Sequence, residues 1–102
     1  MMKMHQRARV FTNPVRLRLI RALSQAPEGL TRAQVADAVK MPTTGLSQHF
    51  RILLTSRIVR NQKKGRHSIY SLDRNEYQAL LERLYQVIAS QQSLDDDDPA
   101  GA

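Results

Sequence analysis

Apolar residues recur at helical spacing along most of this chain and at strand spacing in one stretch. Over residues 14–24, PVRLRLIRALS, a broad apolar stripe of Val15, Leu17, Leu19, Ile20, Ala22 and Leu23 leaves Arg16, Arg18 and Arg21 for the remaining surface. Asn13 suits an N-cap, Pro14 fits the first helical position, where its missing N–H costs nothing, and QAPEG ends the helix. Ahead of it, Met4, Ala8 and Phe11 fall near one face of a short helix. Over residues 31–40, Thr31 and Gln34 stand at capping-box spacing after Leu30, a staple residue, and Val35, Ala36 and Val39 share one side. Pro42 breaks that helix and Thr43 or Thr44 caps the next. There Leu46, Phe50, Leu53 and Leu54 face a core, while Ser47, Gln48 and Arg51 face away.

The period then changes. In IVRNQKKGRHSIYSL, residues 58–62 and 67–72 read as two strands of a hairpin with KKGR at its tip. Asp73, with Glu76 at capping-box spacing, starts a last helix carrying Tyr77, Leu80, Leu81, Leu84, Val87 and Ile88 as one wide apolar stripe. The predicted fold is mainly α with a small β-hairpin, in α-α-α-α-β-β-α order. Residues 1–90 form one domain, and residues 91–102, ending in DDDDPAGA, read as a disordered acidic tail.

Composition narrows the function. A chain of 102 residues with 41% hydrophobic content and no Trp builds a thin core, which favours self-association. The formal charge is +7 although four of the nine acidic residues are the run Asp95 to Asp98, so the folded part is more basic still. Such an excess points to a polyanion partner, because each cation that neutralises a phosphate releases a counterion. The absence of Cys removes disulfides, thiolate catalysis and sulfur-ligated metal. No apolar run approaches the ~18 to 20 residues that cross a bilayer, so no membrane role is expected, and the N-terminus lacks a signal-peptide core; the expected location is cytoplasmic.

A short helix, a turn and a second helix with a polar leading edge make a helix-turn-helix, and a basic hairpin directly behind it gives the order of a winged helix. The blocks NPVRLRLIRAL, MPTTGLSQHFRIL and IVRNQKKGRHSIYSL together resemble the ArsR/SmtB family of dimeric winged-helix repressors, over roughly residues 11–84. The matching positions are Asn13, Pro14, Arg16, Leu17 and Arg18, then Ser47, His49, Arg51 and Leu53, then Val59, Gly65, Arg66, Tyr70 and Leu72.

The resemblance implies double-stranded DNA with an inverted-repeat operator as the partner. Under it Thr43, Thr44, Gly45, Ser47 and Gln48 face the DNA, and Arg51 reaches phosphate. Gln48 is suited to adenine and the threonine methyls to thymine. His49 is open between a packed or phosphate-bonded role and base reading. Arg60, Lys63, Lys64, Arg66 and His67 make the wing's groove or phosphate contacts, and at least one of Arg16, Arg18 and Arg21 touches phosphate. Gly45 departs from the family, which usually places a side chain there.

The resemblance further implies a homodimer closed through the terminal helices, with Tyr77, Leu81, Leu84 and Ile88 at the interface. Many relatives respond to metals, but the positions of one ligand pair hold Thr31 and Ala33 here, and the last helix has no His. His5, His49 and His67 are scattered, so no metal and no other cofactor is expected, and no effector is identified. A winged-helix module docking on a protein is the alternative function. Enzymatic activity is not expected, since no catalytic constellation or phosphate-cradling glycine loop is present.

Overall fold

A computed structural model describes residues 3–90. The acidic tail and the side chains of Met4 and His5 lie outside the described residues. The chain opens with α1 (Met4–Arg7) and a 3-10 turn over Ala8–Phe11 that buries Ala8 and Val10. Then follow α2 (Pro14–Ser24), β1 (Leu30–Thr31), α3 (Arg32–Val39), a 3-10 turn over Thr43–Leu46, α4 (Ser47–Thr55), β2 (Val59–Lys64), β3 (His67–Leu72) and α5 (Arg74–Ser90). The predicted order holds, with one addition. The two-residue β1 pairs antiparallel with β3, Leu30 opposite Tyr70, so the hairpin becomes a three-stranded sheet in the order β1-β3-β2.

Helix starts follow the capping residues. Asn13 Oδ1 accepts from the Val15 N–H at 2.8 Å, and Thr31 and Gln34 make a full capping box. Asp73 completes only half of one: its Oδ1 accepts from the Glu76 N–H at 3.1 Å, while the Glu76 carboxylate pairs with Arg7 at 3.0 Å. The predicted caps Thr43 and Thr44 are not used. Pro42 leads into a 3-10 turn instead, and neither that turn nor α4 has a side-chain cap. Both helices of the helix-turn-helix end on left-handed residues, Lys40 at φ +59° and Arg57 at φ +66°. The next residues close the ends, Met41 N–H donating to Ala36 O and Ile58 N–H to Leu53 O.

The core gathers Val10, Leu19, Leu23, Val35, Leu46, Phe50, Leu53, Ile58 and Leu80, all fully buried. On α2 the structure corrects the predicted faces. Arg16, assigned to the surface, is 7% exposed, and Leu17, assigned to the core, is 45% exposed. Residues 16, 19, 20 and 23 share the inward face at the helical repeat, and the N-terminal turn covers the Arg16 end of it. Arg16 is therefore not available to a phosphate.

The stripe on α5 also divides. Leu80 and Val87 are buried, and Tyr77 and Leu84 pack against the core, the Tyr77 ring 6.3 Å from that of Phe11. Leu81, Tyr85 and Ile88 form a second row at i, i+4 and i+7; Tyr85 is 65% and Ile88 68% exposed. No described helix is long and apolar enough to cross a membrane.

Candidate nucleic-acid interface

The leading edge of α4 is built by a sharp division of side chains. Leu46, Phe50 and Leu53 anchor it in the core, which leaves Thr43, Thr44, Gly45, Ser47, Gln48 and Arg51 exposed. Among the described residues neither threonine hydroxyl has a hydrogen-bond partner, so both are available to a ligand. His49 does not join this edge. It is half-buried, and its Nδ1 lies 3.2 Å from Nη1 of Arg16. A guanidinium only donates, so Nδ1 accepts and the ring is neutral with its proton on Nε2. Burial first, and the Arg16 charge second, hold the His49 pKa below the ordinary 6.5.

Gly45 is free of backbone constraint. Its φ is not positive, and a Cβ there would meet only the mobile end of Met41, with Cε at 3.3 Å. The close spacing is one that Met41 relieves by a small rotation.

The wing differs in detail from its sequence pattern. Lys63 and Lys64 belong to β2, with Lys64 opposite His67, so the tip is Gly65–Arg66 rather than the four residues KKGR. Gly65 has φ +62°, as a two-residue connection of this kind requires. The pleat separates the cations: Lys63 shares a face with Ser68 and Tyr70, while Arg60 and Lys64 lie on the other face with His67. Lys63, Lys64, Arg66 and His67 are all exposed. Arg60 stands at the base, where Nη2 and Nε each lie 2.8 Å from Asp73 Oδ2. The Glu76 N–H and then this guanidinium hold the Asp73 carboxyl below its ordinary value.

Between Asp37 and Asp73 the chain has no acidic residue, while Lys40, Arg51, Arg57, Arg60, Lys63, Lys64 and Arg66 fall there. Both the exposed edge of α4 and the wing come from this stretch, so neither contributes a carboxylate of its own. Arg32 and Tyr85 escaped the reading from sequence. Arg32 sits beside the wing only because β1 brings the start of α3 against β3. Tyr85 could have been found, since it stands four residues after Leu81 and three before Ile88.

The residues at the sensor positions do not fit a metal. The Thr31 hydroxyl accepts from the Gln34 N–H at 3.1 Å, Ala33 offers no donor atom, and α5 holds no His.

Comparison with known proteins agrees with this geometry. The helix-turn-helix domain family matches residues 11–62, a little over half the chain. No curated protein matches it. A possible transcriptional regulator for arsenical resistance is 28% identical, with TM-score 0.70 over 81% of this chain and 83% of that one. The AntR antimony-specific transcriptional repressor is also 28% identical, with TM-score 0.61 over 85% of this chain and 78% of that one. The homodimeric winged helix-turn-helix DNA-binding domain of Mb0332 from Mycobacterium bovis, a possible ArsR-family regulator, shares the fold at 20% identity. Its TM-score is 0.67, over 85% of this chain and 78% of that one. The antimony-specific protein is a transcriptional repressor, and the other two are possible transcriptional regulators. With the family match, the winged-helix order and the exposed α4 edge in agreement, the chain belongs to the ArsR family of winged helix-turn-helix transcriptional regulators.

Proposed function

We propose that the protein is a homodimeric, sequence-specific DNA-binding repressor that works without a metal. The observation that carries it is that the α4 edge and the wing come from one acid-free stretch, with apolar side chains anchoring α4 in the core and polar or basic side chains exposed on both elements. In this reading Thr43, Thr44, Ser47 and Gln48 enter the major groove, and Arg51, Lys63, Lys64, Arg66 and His67 meet phosphates and the flanking groove. Gly45 lets the edge lie close to the duplex. Repression follows the role of the antimony-specific repressor that the chain resembles, and metal independence follows the chemistry at Thr31 and Ala33.

Selection of bound duplexes from a random pool, followed by anisotropy on the selected site, tests the reading. A two-fold symmetric motif with steep salt dependence is expected, and equal affinity for random duplex at moderate salt defeats it. On the selected site Gln48→Ala is expected to relax base choice at one position and to cost roughly tenfold or more in affinity. Lys63→Ala is expected to weaken all duplexes alike and to lower the salt slope by about one. If the two variants behave alike, the division of labour between helix and wing is wrong.

The dimer reading rests on the outward row Leu81, Tyr85 and Ile88, with Tyr77 and Leu84 completing it from the half-buried side. The homodimeric Mycobacterium bovis domain of the same fold supports it. Ile88→Asp is expected to convert the protein to a monomer in sedimentation and to weaken a symmetric site by at least about tenfold. A variant that stays dimeric would move the interface elsewhere.

A further inference from the structure

Arg32 is half-buried at the first position of α3, and its surroundings are unusual for a cation. Its guanidinium carbon lies 4.9 Å from the Phe50 ring centroid and 5.5 Å from that of Tyr70, two rings that are themselves 4.4 Å apart. Nη2 donates to the Tyr70 hydroxyl at 3.0 Å, and Nη1 reaches Ser47 Oγ at 3.5 Å. The side chain thus bridges α3, the first residue of α4 and the wing strand β3.

No carboxylate compensates it. Among the described residues Glu76 pairs with Arg7 and Asp73 with Arg60, and no carboxylate pairs with Arg32. Two of its five N–H groups go to neutral hydroxyls and the ring faces leave its charge undiminished, so three N–H groups are left for a further acceptor. Each hydroxyl, by accepting from Arg32, keeps its own O–H to donate. Beside this group a cleft of about 510 Å³ is lined by Thr31, Arg32 and Ala33 on one wall and by Arg66, His67, Ser68 and Tyr70 on the other. None of these residues is acidic. A planar fork, a second arginine and several hydroxyls facing an acid-free cleft suit a tetrahedral oxyanion.

We propose that this cleft is a phosphate seat in which Arg32 and Arg66, with the hydroxyls of Ser68 and Tyr70, hold one phosphate group. On the DNA-binding reading, on which its source rests, the phosphate is a single diester of the duplex backbone. Because Arg32 touches both Ser47 and Tyr70, the same phosphate fixes the position of α4 relative to the wing. A free phosphate offers the same chemistry.

The test pairs a protein change with a DNA change. Arg32→Met keeps the apolar stem over the two rings, and Arg32→Lys keeps the charge without the fork. On the selected duplex, Arg32→Met is expected to weaken binding roughly tenfold and to lower the salt slope by about one, with Arg32→Lys recovering only part of the affinity. Neutral methylphosphonates placed one at a time along the backbone should reveal one position that weakens the wild type clearly more than it weakens Arg32→Met, which keeps only the Arg66 side of the seat. That coupling assigns the seat to the DNA backbone.

Inorganic phosphate alone, titrated into the wild type and followed by amide shifts of Ser68 and Tyr70, covers the other source. Saturable shifts that vanish in Arg32→Met, without methylphosphonate coupling, assign it to free phosphate. Absence of both coupling and shifts overturns the seat. If Arg32→Met fails to fold, Arg66→Ala, at an exposed position on the other wall, serves in both arms. If the wild type binds no duplex, the DNA reading fails by itself, and the inorganic phosphate titration still decides whether the seat exists.

Discussion

Gly29→Ala is expected to cost the fold roughly 3 kcal/mol, because it combines backbone strain with a collision that has no flexible partner. Gly29 has φ +85°, and a Cβ built there would sit 2.5 Å from Ile69 Cγ2 and 2.8 Å from the Tyr70 carbonyl oxygen. The carbonyl is fixed in the sheet by pairing on both sides of β3, so the clash is relieved only by moving β1 away from the wing. Thermal unfolding should show a midpoint lowered by about 12 °C or more for a domain of this size. Gly65→Ala is the control. It shares a positive φ, +62°, but has nothing within 4 Å of its added carbon, so only backbone strain of about 1 kcal/mol is expected. Equal losses in the two variants would mean that the close approach at Gly29 contributes nothing. Because β1 carries the start of α3, the Gly29 change should also disturb the contact between Arg32 and Tyr70.

Local patterns made most of the architecture legible. Asn13, the Thr31 and Gln34 pair, and Asp73 each mark a helix start whose bonds involve neighbours within three residues, so sequence spacing identifies them. The α4 edge was legible for the same reason, since its buried and exposed sides follow a single helical repeat. What escaped depends on pairing distant in sequence. The strand β1 is too short to show a period and exists only against Leu30's partner Tyr70. Arg32 gains its place from that pairing, and the position of Lys63 and Lys64 within β2 depends on where the turn closes. On α2 the apolar stripe was wide enough to be rotated either way. The N-terminal turn chose the rotation by offering the Arg9 carbonyl to Arg16.

Arg16→Ala is expected to cost about 3 kcal/mol, since it removes several bonds at once and leaves a void between the N-terminal turn, α2 and α4. Nε and Nη2 of Arg16 donate to Arg9 O at 3.1 and 2.8 Å, and Nη1 donates to His49 Nδ1 at 3.2 Å. Arg16→Lys should recover little, because an ammonium cannot serve the carbonyl and the imidazole in one plane. The same contact makes stability depend on pH. His49 titrates at its ordinary 6.5 in the unfolded chain and lower in the folded one, so the unfolded state binds more protons in that window. Stability is therefore full above pH 6.5 and falls as the pH drops through 6.5 toward the lowered folded value. Asp73, depressed from 3.8, gives up its own contribution only at more acid pH, so the two steps separate. Urea midpoints of the wild type should fall between pH 7.5 and 5, whereas His49→Gln, which still offers Arg16 an acceptor but does not titrate, should hold nearly level. A wild type that is equally stable at both pH values, or a glutamine variant that loses as much as the wild type, would show that Arg16 and His49 are not coupled. A coupled pair would tie the seating of the N-terminal turn on α2 to the protonation of a residue on the helix that carries the exposed reading edge.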